Sequence, residues 1–365
     1  MNAKRLLHWT VAIVSISILV FSLIPQLSAN SNDATYINKL KQSLSIGNIQ
    51  AAVTNQSTVH GLIVPGEEKS YYNFVSVGDW GCTEETNKTV ENILKRDPNL
   101  IIALGDYSYS NSGKCWIDKI KPIESLVKIV FGNHENKGNY HLNFFESPKY
   151  STPDEYMNQF GLKSQYYSFD YEGVHFLMMS TDVLYEKGSP QYEFVSNDLK
   201  HASENSKTKW IIVANHRTIY PPYYGPAIAL DAAIGKKFRD TYHPLFDLYE
   251  VDLVLQGHVH YYQRTYPLKY NAINPEVPTI TDFHKNHYIK PAGPVFLTIG
   301  TGGVQIGRPD NIPKPYYDAY SDTGVFGILN LKIKKDGSSL EGTFYNNGDI
   351  NEPYVQDTFN ITKIT

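Results

Sequence analysis

The sequence predicts an α/β fold with a mixed sheet system. Three observations carry that reading. Short apolar, β-branched runs end abruptly in Gly, Asn, Asp or His; helix-spaced stretches with charged outer faces separate them; and two pairs of runs are joined by tight polar turns. The composition, 41% hydrophobic and 19% charged, is that of a chain able to bury a sizeable core.

The elements follow in order. Lys4-Arg5 precede a mostly apolar run from Leu6 to Ile24 and then Pro25, which is the pattern of an export signal. That run is also long enough, at about 19 residues, to cross a bilayer with its basic flank inside. Residues 1–29 are therefore read as a signal peptide or an N-terminal membrane anchor, residues 30–68 as a polar linker with a short helix near Tyr36 to Leu44, and residues 69–365 as one catalytic domain. The expected strands are Asn73 to Val77, Leu100 to Leu104, Val127 to Phe131, Trp210 to Ala214, Val251 to Leu255 and Val295 to Ile299. Apart from Lys128 and Asp252 these runs are free of charge, as buried strands usually are. Tyr166 to Tyr171 and Val174 to Ser180 flank Glu172-Gly173, a two-residue hairpin turn. A second hairpin, Gly327 to Ile333 and Leu340 to Tyr345 around Lys335-Asp336-Gly337, is expected to close the chain and cap the domain. Helices are expected at Thr86 to Arg96, Asp198 to Glu204 and Ala232 to Tyr249.

The charge balance excludes one class of partner. With 33 Lys and Arg against 37 Asp and Glu, the net charge of −4 lacks the basic footprint of a nucleic-acid binder. Two cysteines in 365 residues are no disulfide framework. Cys82 and Cys115 fall on loops after neighbouring strands, where a disulfide and two free thiols are both open.

Five strands end in residues that carry chemistry. Gly78-Asp79-Trp80-Gly81 follows the first, Gly105-Asp106-Tyr107-Ser108-Tyr109 the second, and Gly132-Asn133-His134-Glu135 the third. Asn215-His216 follows the fourth and, one residue on, Gly257-His258-Val259-His260 the fifth. The carboxyl ends of strands in an open α/β sheet form the rim where ligands bind, so residues far apart in sequence can converge there. Two Asp, three His, one Asn and one Tyr make a set of oxygen and imidazole donors with no thiolate, which suits Fe, Mn or Zn. Each motif alone has an ordinary structural reading, a turn, a helix cap or a packed surface pair; all five, each behind a buried run, are hard to explain without a site.

In that order GDWG, GDYSY, GNHE, VANH and GHVH resemble the metal-ligand motifs of the calcineurin-like metallophosphoesterase superfamily. The tyrosine three residues after the second Asp narrows the resemblance to the purple acid phosphatases. YYSFDYEGVHFLMMSTD, QYEFVSNDL, GHVHYYQRTYP and GPVFLTIGTGG are similar to segments of their plant-like members, so the likeness runs from about Tyr71 to the C-terminus.

The resemblance implies a four-layer α/β/β/α sandwich: two mixed β-sheets flanked by helices. It implies two metal ions, Fe(III) on Asp79, Asp106, Tyr109 and His260, and a divalent Fe, Zn or Mn on Asp106, Asn133, His216 and His258. Asp106 would bridge them. The implied reaction is hydrolysis of phosphomonoesters by direct attack of a metal-bound hydroxide. His134 would orient the phosphate or protonate the leaving oxygen, with Asn133 and His216 beside the substrate. Alternatives on the same ligands are a phosphodiesterase or nucleotidase, or a non-catalytic phosphate-binding surface protein. The partner would be a small phosphate ester, and the location exported, either secreted or held on the outer side of the cytoplasmic membrane through residues 6–24. Two departures stand out. Arg217 to Asp231 lacks the histidine that many members carry there, leaving Tyr223 or Tyr224 as substitutes, and the plant enzymes' separate N-terminal β-sandwich has no counterpart in residues 30–68.

Overall fold

The computed structural model describes residues 70–136, 151–221, 229–305, 314–348 and 354–363. The expected leader, linker and helix near residues 36–44, together with Tyr223 and Tyr224, lie outside the described residues. Glu67–Thr365 form one compact unit. No helix among the described residues is long and apolar enough to cross a membrane.

Two mixed sheets make up the centre. The seven-stranded sheet has the order β10-β15-β14-β13-β1-β2-β3, from His287–Ile289 (β10), Val355–Thr362 (β15), Ser339–Asn346 (β14), Gly327–Lys334 (β13), Tyr71–Val77 (β1), Leu100–Ala103 (β2) and Val127–Ile129 (β3). The eight-stranded sheet has the order β12-β8-β11-β7-β6-β5-β4, with β9 beside β8. Its strands are Asp318–Asp322 (β12), Tyr262–Lys269 (β8), Thr279–Ile280 (β9), Val295–Ile299 (β11), Leu253–Gln256 (β7), Trp210–Ala214 (β6), Val174–Met178 (β5) and Tyr167–Tyr171 (β4). Within the first sheet β1, β2 and β3 run parallel; within the second, β5, β6, β7 and β11 do. The carboxyl ends of these parallel strands carry all five motifs.

Alternation along the strands builds the layers. Trp210, Ile212 and Ala214 of β6 join Phe176, Leu255 and Leu297 and the first sheet's Phe74, Ile102 and Leu329 in one core between the sheets. The intervening Ile211, Val213, Leu177, Val254 and Phe296 face the other way, into a second core with Val195, Leu199, Phe238, Tyr242 and Phe246. Those last residues belong to helices Pro190–Glu204 (α4) and Ala229–Leu248 (α5), which cover the second sheet. Helices Glu84–Arg96 (α1), Lys114–Lys119 (α2) and Pro153–Phe160 (α3) precede them in the chain, and Val90, Ile93, Trp116 and Tyr156 bury against the first sheet's side. The α/β sandwich of two sheets flanked by helices is the expected one.

Local chemistry explains the ends. Thr83 caps α1 by accepting from the Thr86 N–H, Glu84 and Glu85 sit in its first turn and Lys95 and Arg96 in its last. Ser189 caps α4 ahead of Pro190, so that helix begins eight residues before the expected Asp198. Glu172 and Gly173 take positive φ of 51° and 80°, as a two-residue hairpin turn requires. The second hairpin does not cap the domain. It lies inside the first sheet, β13 paired to β1 and β14 to β15, because β15 follows it and buries Asp357, Phe359 and Ile361 on every second position.

Candidate metal centre

Seven residues singled out from the sequence meet at the rim. Asp79 stands just past β1, Asp106 and Tyr109 past β2, Asn133 past β3, His216 past β6, and His258 and His260 past β7. The Tyr109 hydroxyl lies 3.0 Å from Asp79 Oδ1, 3.2 Å from Asp106 Oδ2 and 2.9 Å from His260 Nε2. His216 Nε2 lies 3.2 Å from Asp106 Oδ2, 3.2 Å from Asn133 Oδ1 and 3.2 Å from His258 Nδ1. Asp106 thus touches both clusters. Asp106, His216 and His258 alone already form a group able to hold a metal ion.

The donor set fits a cation. His216 Nδ1 lies 2.7 Å from the Leu104 carbonyl, which places the ring hydrogen there and leaves Nε2 of the neutral ring as a bare lone pair. Two further lone-pair atoms, Asp106 Oδ2 and Asn133 Oδ1, converge on it, with His258 Nδ1 beside them. Such a meeting is repulsive unless a proton or a metal ion sits among them. His260 is oriented in the same way, its Nδ1 3.0 Å from the Gln305 carbonyl and its Nε2 turned towards Tyr109 and Asp79.

The electrostatics agree. Burial alone would raise the Asp106 carboxyl, but His216, His134 and His258 outweigh it and hold the group well below the usual carboxylate range. Burial would lower His216, but Asp106 outweighs it and raises the imidazole. Burial, then Asp106 and Asp79, push the Tyr109 phenol well above its ordinary range. Without a cation Asp106 is therefore ionised while His216 and Tyr109 keep their protons, and a bound cation is what would displace those.

The backbone is strained where the donors are. Asp79, Asp106, Tyr109 and His258 take φ of 58°, 53°, 50° and 72°, a conformation that costs non-glycine residues about 1–3 kcal/mol each. The glycine of the third motif serves close approach instead: a Cβ on Gly132 would lie 2.2 Å from Asp106 Oδ1.

Two supporting residues escape a reading by motif. Glu135 is fully buried and accepts the backbone N–H of Asp106 at 2.8 Å, of Tyr107 at 2.8 Å and of Gly132 at 2.9 Å, tying the β2 and β3 loops together. It was visible as the last letter of GNHE. Gln305 was not; it arrives on the loop after β11, which donates Gly302 N–H to Gly78 O and Val304 N–H to Asp79 O. His134 is partly exposed, 26% open at its side chain. Its N–H donates to Asp106 Oδ1 at 2.9 Å and its ring lies 4.2 Å from that of Tyr109. Tyr220 is part of the core, buried with its hydroxyl 2.7 Å from His243 Nδ1. Cys82 and Cys115 are joined as a disulfide, with Cα atoms 6.0 Å apart.

Comparison with known proteins gives the chain's relatives. The calcineurin-like phosphoesterase family matches residues 72–262, from β1 to just past His260. Purple acid phosphatase 23 of Arabidopsis thaliana is 28% identical over 77% of this chain and 63% of its own length. Purple acid phosphatase 21 of the same plant is 30% identical over 66% of this chain and 52% of its own. The chain thus spans between half and two thirds of these relatives. Among solved structures, the purple acid phosphatase PPD1 from yellow lupin (Lupinus luteus) seeds superposes with a TM-score of 0.68 at 23% identity, covering 80% of this chain and 54% of that one, a likeness of fold. On the match through more than half its length, the chain belongs to the calcineurin-like phosphoesterase family.

Proposed function

We propose that the chain is an exported binuclear-metal phosphoesterase that hydrolyses phosphomonoesters, of the acid phosphatase type. The observation that carries the reading is the pair of donor clusters sharing Asp106, one around the Tyr109 hydroxyl and one around His216 Nε2. Asp79, Asp106, Tyr109 and His260 would hold one cation, and Asp106, Asn133, His216 and His258 the other. Fe(III) suits the phenol-bearing cluster, and a divalent Fe, Zn or Mn the imidazole-rich one. Two cations so held would supply an acidified water for attack on phosphorus and positive charge for the phosphoryl oxygens.

The chain's own residues do the rest. His134 stands at the open side of the cluster, its Nε2 3.9 Å from Asp106 Oδ2, placed to orient the phosphoryl group or to hand a proton to the leaving oxygen. Asn133 and His216 border the same space. Leu104 and Gln305 carbonyls hold His216 and His260 in the tautomers that turn a lone pair inward. Export follows from Lys4-Arg5 and the apolar run behind them, which either is removed or anchors the protein outside the cytoplasmic membrane.

The test is turnover of an aryl phosphate by the purified chain before and after chelation, with Fe, Zn and Mn returned singly and in pairs. The reading expects activity lost on chelation and restored by metal. A protein that holds metal but turns over no phosphate ester would instead be a binding protein.

A further inference from the structure

The Cys82–Cys115 disulfide lies three residues past Asp79 on one side and six past Tyr109 on the other. It therefore ties the Asp79 loop to the first turn of α2, the helix into which the Tyr109 loop runs. At their roots these loops are tied by backbone bonds, Asp79 N–H to Gly105 O at 3.0 Å and Trp80 N–H to Asp106 O at 2.9 Å. At the tip the tie is the Tyr109 hydroxyl itself, on Asp79 Oδ1. Beyond Tyr109 the segment bonds away from the Asp79 loop. Ser110 Oγ donates to Ser112 O at 2.7 Å, while Ser112 Oγ and Gly113 N–H both donate to Glu155 of α3. Below, Trp80 packs edge-on against Trp116 at 5.8 Å and Trp116 stacks on Tyr107 at 4.1 Å, all three buried. The two cysteines are only partly buried above that aromatic layer. The layer supports the loops' base, and the disulfide fixes their outer edge.

We propose that this disulfide is a positioning element of the Tyr109 half of the site: it holds the strained Tyr109 turn against the Asp79 loop so that phenol, carboxylates and His260 stay in register for a cation. The inference rests on the two-cation reading above. A bridge that served stability alone would act by restricting the unfolded chain and would leave the folded site as it was. A bridge that positions Tyr109 would change the folded site itself.

The experiment uses the full chain in two forms without the bridge, the Cys82→Ser/Cys115→Ser double variant and folded parent protein treated with a water-soluble trialkylphosphine and capped with iodoacetamide. In the second, the phosphine attacks one sulfur and the S–S bond breaks; water supplies the oxygen of the phosphine oxide and the two thiol protons. The double variant put through the same treatment controls for reagent effects on the metals. Metals per chain, their retention against a chelator, and the visible absorption band that vanishes in Tyr109→Phe are read alongside activity. The expected result is selective: the Tyr109-side cation is held about tenfold or more less tightly and the band shifts or fades, while the other cation stays. Both cations held as in the parent, with only a lower melting temperature, would overturn the proposal and leave the disulfide a stability device. A parent that takes up no cation would overturn both this and the reading it rests on.

Discussion

His216 Nε2 lies 3.2 Å from Asp106 Oδ2, although the two residues come from different sheets, Asp106 from the loop after β2 and His216 from the end of β6. The site is therefore a seam between sheets, and Asp106 is the residue both clusters need. Asp106→Asn removes the shared charge while keeping the shape. It is expected to lower kcat/KM by more than the roughly 100-fold that loss of an outer partner typically costs. Steady-state kinetics on an aryl phosphate check this; a loss under tenfold would argue against a shared carboxylate.

Glu135 gives a graded version of the same test. It touches no candidate donor atom of the clusters except through the backbone, so Glu135→Gln should fold and keep both cations at saturating metal. An amide nitrogen in place of one acceptor oxygen opposes at least one of the three N–H groups that Glu135 now satisfies. Activity or metal affinity is expected to fall about 10–100-fold, measured by metal titration.

The sheets are also pinned away from the site. Arg264 of β8 makes a paired contact with Asp357 of β15, Nε to Oδ2 at 2.7 Å and Nη2 to Oδ1 at 2.8 Å, with the Tyr262 hydroxyl on the same carboxylate at 2.9 Å. All three are buried. Asp357→Ala strands the guanidinium and should cost about 3–5 kcal/mol, whereas replacing both partners with apolar residues should recover much of it. Urea unfolding midpoints decide between these.

His175 makes stability depend on pH. Its Nδ1 is 2.8 Å from Asp170 and its Nε2 2.8 Å from Asp198, joining the β4–β5 hairpin to α4. Burial would lower its pKa, but Asp198 and Asp170 outweigh it and raise it above the ordinary value of about 6.5. The folded state thus binds the proton more tightly than the unfolded one. Its contribution is complete below about pH 6.5 and is lost as pH rises through the raised value. Melting curves from acid to alkaline pH should show that decline in the parent and its loss in His175→Phe.

How much was legible in the sequence depends on where each residue's partners sit. Trp210 to Ala214 and Val295 to Ile299 were readable to the residue because an uncharged apolar run between turns needs no particular partner to declare itself. The seven candidate ligands were readable because the motif that holds each one closes such a run. β8 was not: Arg264 and Pro267 break its apolar pattern, and the carboxylate that neutralises Arg264 is 93 residues away. β15 was missed for the matching reason, since buried Asp357 reads as a loop residue until Arg264 is beside it. The first turns of α4 hid behind Tyr192, Phe194 and Val195, whose strand preference the Ser189 cap and Pro190 override. Gln305 acts through its backbone carbonyl, which no side-chain pattern can announce.

The most direct measurement is metal content and aryl phosphatase activity on the same samples of parent and Asp106→Ala. Two metal ions per chain with activity are expected in the parent, and loss of both metal and activity in the variant. An active parent without metal, or a variant that keeps both ions and its activity, would contradict the two-cation reading.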